Sequence, residues 1–314
     1  MHIHARSLQY FDMIRRCGSI REAARQLHVA SSAVNRQLLQ IEAEVGTPLF
    51  ERMTTGLRLT PAGEVFSRHV ITVLQDERRM VGELEMLRGI RRGSINIAAV
   101  EGLNADLLPA CLERMMTRYP TIRIHVASTG SEQTGMAVES GDADIAMGFS
   151  LERRDALRQC AVGRFGLGAI VRADHPLAAL REVSFAECAR YPLILSSAPL
   201  SIHALMKPVL SHHKRAMTVL LETASVELAR RMVARGVAIA FQTRLGMEPE
   251  LAQGQMVHVP LKAPARLTTE LGVYVRAGRT LPPAVDAFIR ILSEEIERRE
   301  AEEPGGASRV LAGR

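Results

Sequence analysis

Apolar residues between Ser19 and Gly46 (SIREAARQLHVASSAVNRQLLQIEAEVG) fall at helical spacing twice, on either side of a short break. Ile20, Ala23, Ala24 and Leu27 define the first helix; Val34, Leu38, Ile41 and Val45 define the second. Ser19 and Glu22 have the spacing of a capping box, in which two side chains satisfy orphan amides at a helix start. Gly46 suits the left-handed residue that ends the second helix. His28-Val29-Ala30 interrupts the period. Upstream, Ser7 is expected to cap a helix that carries Leu8, Phe11 and Ile14 and stops at Gly18. Three short helices with a tight turn between the last two make a helix-turn-helix. The small side chains of Ala23 and Ala24 let the two helices cross closely.

The pattern then changes period. Leu49-Phe50 and Leu57-Leu59 flank a turn at Thr54-Thr55-Gly56, which predicts a β-ribbon with Arg52 and Arg58 beside it. Thr60-Pro61 opens another helix, with proline at its first position. Its apolar stripe (Phe66, Val70, Val73, Met80, Leu84 and Leu87) persists for roughly 28 residues, or about 42 Å of helix, with Glu77 as the polar interruption. A 4-3 stripe of that length predicts a two-helix seam and hence a dimer. RGIRRG (88–93) then forms a hinge.

From Ser94 onward strands and helices alternate. SINIAAV, LLPACLERMMTRYP, IRIHVAST, a helix from Ser131 to about Ser140, and ADIAMGF read as β-α-β-α-β, the signature of a parallel sheet covered by helices. A second set opens at FGLGAIVRADHP. It continues through YPLILSS, a helix near 201–212, MTVLLETA, VELARRMVARG, VAIAFQ, QMVHVP and ELGVYVRAG. A helix from Pro282 to about Glu302 closes it, and the tail after Pro304 has the composition of a disordered segment. Two such lobes predict a hinged α/β binding fold with its ligand at the carboxyl ends of the strands.

Composition narrows the function. Within 314 residues, 47% hydrophobic, there is room for several domains, and no apolar run reaches the length of a membrane span. The N-terminus enters a helix without a cleavable apolar stretch, so a cytoplasmic location is expected. A formal charge of +6 and a pI near 9.5 are compatible with a nucleic-acid partner. Cys17, Cys111, Cys160 and Cys188 are scattered without metal or disulfide spacing and read as reduced thiols. Neighbouring His212 and His213 diverge on a helix and do not share a metal. Neither a nucleophile elbow, a zinc-protease motif nor a phosphate loop is present, and the glycines of GRFGLG (163–168) are misspaced for a dinucleotide. An enzyme, a metal site and a bound cofactor are therefore not expected.

Candidate chemistry concentrates in two places. In a helix-turn-helix the last helix enters the major groove, where Asn and Gln pair with adenine and Arg with guanine. This nominates Ser31, Ser32, Asn35, Arg36 and Gln37 as base readers, with Ser31 or Ser32 as the helix cap. Arg52, Thr54 and Arg58 of the ribbon are placed to grip phosphates. In the α/β part the strand ends nominate Val100, Glu101, Gly102, Thr129, Ser131, Ser196, Ser197, Thr223, Ser225 and Gln242. Ser131 and Ser225 also start helices, where donors converge on an anion. A ligand-facing Glu101 would repel an organic acid and favour an amine or zwitterion.

The strings SIREAARQLHV, AVNRQLLQIEAEVGTPLFER and LRLTPAGE resemble the winged helix-turn-helix of LysR-type transcriptional regulators over residues 7–66. GDADIAMG, VRADHPLA, YPLIL and VARGVAIAF are similar to landmarks of that family's effector-binding domain. The chain departs from the pattern at Ala30-Ser31-Ser32, where the family has Ser-Gln/Lys-Pro/Ser, and at Asn35, where it has Ser or Thr. It departs also at Glu101-Gly102, where members often carry a hydroxyl. The resemblance implies a multi-domain fold. A winged helix-turn-helix (1–60) would be followed by a linker helix and hinge (61–92), a two-lobed, periplasmic-binding-protein-like effector domain (93–303) and a tail (304–314). It implies double-stranded promoter DNA and a small-molecule effector as partners, with RNA polymerase as a further one. The expected assembly is a dimer through the linker helix and a tetramer through the effector domains.

Overall fold

A computed structural model describes residues 5–87, 93–198, 200–213, 217–262 and 267–303. The hinge residues 88–92 and the tail from 304 lie outside the described residues. The chain divides into two compact units, Met1–Ile90 and Arg91–Arg314.

The first unit runs α1 (Ala5–Cys17), α2 (Ile20–Gln26), α3 (Ser31–Val45), β1 (Phe50–Met53), β2 (Gly56–Leu59) and α4 (Pro61–Leu87). Its core contains the fully buried Phe11, Ile14, Val34, Ile41 and Leu49. Phe11 lies between Phe50 and Phe66, with centroids 5.1 and 4.9 Å away. Three local expectations need correction. Ser7 sits inside α1 and not at its cap, because the helix already begins at Ala5. Neither Ser31 nor Ser32 caps α3; they occupy its first two positions, and Ala30 is the cap residue with no side-chain bond. The box at Ser19 is half-formed: its hydroxyl accepts from Glu22 N, while the Glu22 carboxylate turns to Arg25 and Gln26. His28 adopts φ +55°, which makes the turn between α2 and α3.

Helix α4 also departs from the seam expected of it. Phe66 and Val70 are buried in the unit's own core, and Val73 and Leu74 pack against it. Farther along, Met80, Val81 and Leu84 stand about half exposed. The stripe thus serves two surfaces in succession.

The second unit is a seven-stranded mixed sheet in the order β10-β6-β11-β5-β3-β4, with β9 also paired to β6. The first lobe contains β3 (Gly93–Val100), α5 (Leu107–Arg118), β4 (Ile122–Thr129), α6 (Ser131–Glu139) and β5 (Ile145–Phe149). β3 pairs in parallel with both β4 and β5. β6 (Leu157–Arg172) then runs 16 residues. Its first part pairs with β11 (Thr268–Arg276), and its last part pairs with β9 (Ala240–Thr243) and β10 (Met256–Pro260). From sequence only its part from Phe165 onward reads as a strand, because the exposure pattern is open up to Val162 and continuously buried from Leu167. It is one strand shared by both lobes.

The second lobe adds α7 (Phe185–Cys188), β7 (Pro192–Ser196), α8 (Ser201–His213), β8 (Thr218–Thr223), α9 (Val226–Ala234) and α10 (Glu248–Ala252). β7 and β8 form a parallel pair. α11 (Pro283–Ala301) returns to the first lobe, where Phe288 and Leu292 join Ile95, Ile97, Leu107 and Met115 in the core. The second lobe has a core of its own around Val183, Phe185, Leu193 and Phe241. A cleft is left between the lobes at the carboxyl ends of β3 and β5.

Candidate functional site

In the first unit Ser31, Ser32 and Arg36 are exposed at the amino end of α3, Asn35 is half-buried beside them, and Leu39 and Gln40 extend the exposed face. Gln37 has another job. Its Oε1 accepts a hydrogen bond from Ser7 Oγ at 2.8 Å, tying α3 to α1. Glu42, unremarked in the sequence, accepts from the amides of Leu49 (2.7 Å) and Phe50 (3.2 Å) and so fixes where the ribbon leaves α3. The Leu57 amide donates to Gly18 O at 2.7 Å, pinning the ribbon to the end of α1. Gly56, at φ +131°, is needed there, since a Cβ would stand 2.6 Å from that same oxygen.

Within the ribbon Glu51 faces Arg58, and Arg52 faces Leu57. Directly opposed residues share a face, so Arg52 and Arg58 project from opposite faces. Thr54 is exposed at the turn. The unit therefore presents a helix amino terminus with two hydroxyls and a guanidinium, and a rigidly attached ribbon with one arginine on each face. Such a surface can place donors on base edges and cations on flanking phosphates.

The second unit has a narrow cleft between its lobes. Of the residues nominated from strand ends, Val100, Glu101, Gly102, Ser131 and Gln242 line it together. The other five lie elsewhere. Thr129 ends β4, its hydroxyl turned to Gly130 O. Ser196 and Ser197 use their backbone groups on His203 Nδ1 and Thr223 O. The Thr223 hydroxyl accepts from Ser225 N at 3.0 Å, and Ser225 caps α9 through Leu228 N at 3.1 Å. Ser131 does not cap α6; its hydroxyl accepts from Phe149 N.

Sequence reasoning missed Phe149, Leu200, Ser201, Ile202, Val226, Thr243 and Leu245, which complete the wall. The strand-end rule could have supplied Phe149, the last residue of β5. Leu200 precedes α8 and Ser201 opens it, so only the packing of α8 decides their position. An adjoining, more open space at the mouth adds Ser150 and Arg154, the latter paired with Glu132 and Glu139.

The Glu101 expectation is corrected most. It stands in a 3-10 turn after β3, with its carboxylate turned to the start of α9. Its carboxylate accepts hydrogen bonds from Ser225 Oγ (3.0 Å), Val226 N (3.1 Å) and Glu227 N (3.4 Å). Behind the wall His258 Nε2 donates to Gln242 O at 3.1 Å, its ring packed where a side chain on Gly168 would be. Burial pushes the His258 pKa down to about 4. On another side Arg299 of α11 binds Glu295 (2.8 Å), Asp106 and Glu248 of α10, so the two lobes share an ion cluster around a buried guanidinium. Burial raises the Glu248 carboxyl against the pull of Arg299.

A helix-turn-helix surface in one unit and a two-lobed cleft in the other match two family models. Residues 5–64 match the bacterial regulatory helix-turn-helix protein, lysR family, and residues 88–297 match the LysR substrate binding domain. The chain belongs to the LysR family. This LysR-type regulator is 27% identical to the RuBisCO operon transcriptional regulator of Allochromatium vinosum over 299 residues, covering 95% of this chain and 98% of that one. Its fold is similar to a full-length OxyR variant from Pseudomonas aeruginosa, with TM-score 0.71, 19% identity and 95% of each chain covered. It is also similar to full-length CbnR complexed with its target DNA, with TM-score 0.52, 18% identity, and 94% and 100% covered. The regulator is a DNA-binding transcription factor with an effector-binding domain. Among its described residues no helix is long and apolar enough to cross a membrane, and no cluster of His, Cys, Asp and Glu is arranged to hold a metal.

Proposed function

We propose that this cytoplasmic regulator reads its operator with the exposed amino end of α3, grips the flanking phosphates with the ribbon, and responds to a small organic effector in the cleft. The observation that carries the first part is the separation of roles in the first unit. Arg36, Ser31 and Ser32 are exposed on α3 with Asn35 beside them, while Gln37 is engaged in holding α3 to α1. The reader set is therefore Ser31, Ser32, Asn35 and Arg36, with Arg52, Thr54 and Arg58 as the grip. The cleft pairs apolar Val100, Phe149 and Leu245 with the polar Ser131, Ser201 and Gln242, a lining suited to a small molecule with a few hydrogen-bonding groups. Regulation rests on that effector alone, without catalysis or a resident cofactor.

The exposed Met80, Val81 and Leu84 of α4 support a dimer made by the far half of that helix. The effector domains join dimers into a tetramer, and RNA polymerase is the partner that the bound regulator engages.

Mobility shifts with the promoter fragment test the assignment. Arg36→Ala is expected to cost about 1–3 kcal/mol at the cognate site and little on random DNA. Arg58→Ala is expected to weaken both alike and to reduce the salt slope by about one unit. Equal losses of specific and nonspecific binding in both variants would overturn the division between reader and grip.

A further inference from the structure

Glu101 makes a connection that an effector pocket does not require. It belongs to the first lobe, yet its three hydrogen-bond donors, Ser225 Oγ, Val226 N and Glu227 N, all stand at the start of α9 in the second. The cap within the second lobe leaves these donors without an acceptor of their own. Ser225 already caps α9 by accepting from Leu228 N, and its hydroxyl hydrogen remains to be donated. The donors are held from behind: Thr223 Oγ1 accepts from Ser225 N, and Gln242 Nε2 donates to Val226 O. One residue on, the Gly102 carbonyl lies so close to Gly246 of the second lobe that a Cβ at 246 would overlap it. The two lobes thus meet along the 3-10 turn. Of their polar ties, the Arg299 cluster centres on a buried guanidinium, and the Glu101 tie borders the cleft.

We propose that Glu101 is an intramolecular clasp joining the lobes, and that the effector works by taking its place on α9. This rests on the effector reading above. What is vacated is one hydroxyl hydrogen and two amide hydrogens, three donors that converge at the positive end of a helix. The group that replaces Glu101 is therefore a carboxylate or another oxyanion, the opposite of the amine that Glu101 suggests when the sequence is read alone. Displacement frees the 3-10 turn from α9 and lets the lobes change their angle.

Amide hydrogen exchange on the full-length protein, with neither DNA nor effector added, tests the clasp apart from the regulatory reading. Glu101→Ala is expected to speed exchange at Val226 and Glu227 by about tenfold or more, while the first-lobe strand β3 keeps its protection. Glu101→Gln, which keeps the shape and loses the charge, is expected to fall between. Sodium acetate is expected to restore protection in Glu101→Ala, and acetamide is not. Unchanged exchange in Glu101→Gln with β3 still protected would overturn the clasp, even were Glu101→Ala to misfold. Equal rescue by acetamide and acetate would overturn the requirement for an anion.

Discussion

Whether a polar side chain faces outward or is used within the fold separates the residues of α3 and of the cleft. Arg36 and Gln37 are sequence neighbours on one helix, but the first is exposed and the second answers Ser7. His258 shows the same inward use with a measurable consequence. Its neutral ring donates to Gln242 O, and burial holds its pKa near 4, below the ordinary 6.5 of a histidine. The folded protein therefore binds fewer protons than the unfolded chain between those two values. The contribution is complete above about pH 6.5, falls as pH drops, and levels off below about 4. Between about pH 7 and pH 5 the loss is expected to be about 2 kcal/mol. Denaturant unfolding of residues 93–303 at both pH values should show it. His258→Gln, which can still donate to the carbonyl, is expected to flatten that difference.

At the scale of elements, α4 illustrates how one periodic stripe can serve two purposes. Phe66, Val70 and Val73 lie against the first unit's core, so a charge at Val73 attacks folding before it attacks association. Leu84 is 48% exposed and Met80 51%, in a stretch of helix beyond that core. Val73→Asp is expected to destabilise the unit by about 2 kcal/mol or more, since an unpaired charge is poorly tolerated against an apolar core. Leu84→Glu is expected to leave the melting temperature of a dilute sample nearly unchanged and to shift dimers toward monomers. Circular dichroism melts combined with sedimentation separate the two outcomes. A Leu84→Glu protein as dimeric as its parent would remove α4 from the interface. β6 makes the complementary point, for a single strand ties the two lobes into one sheet.

For the molecule as a whole, the apolar clusters respect the division into units. Leu8 through Leu74 supply one core, and the remaining clusters lie wholly between Ile95 and Ile296. Each unit has the interior that independent folding requires. Residues 1–90 produced alone are expected to fold, dimerise and bind promoter DNA, more weakly than the full chain. Residues 93–303 are expected to melt cooperatively without them. A 1–90 fragment that is unfolded in dispersion spectra, or monomeric in sedimentation, would contradict this arrangement.

The sequence alone determined whatever depends on neighbours along the chain. The periods of 3.6 and 2 located α2, α3, the ribbon and nearly every strand and helix of the second unit, because burial of one face imposes them locally. The winged helix-turn-helix and its exposed Arg36, Arg52 and Arg58 were legible for the same reason, as was a cleft at the strand ends containing Val100, Ser131 and Gln242. Tertiary structure alone decided the partners of polar groups distant in the chain. Gln37 meets Ser7, Glu42 meets the amides of Leu49 and Phe50, and Glu101 meets α9 across 124 to 126 residues. A carboxylate carries no mark in sequence of the donor it will find. That choice is made when the lobes pack, since the amides at the start of α9 need an acceptor and the turn after β3 brings one within 3.4 Å.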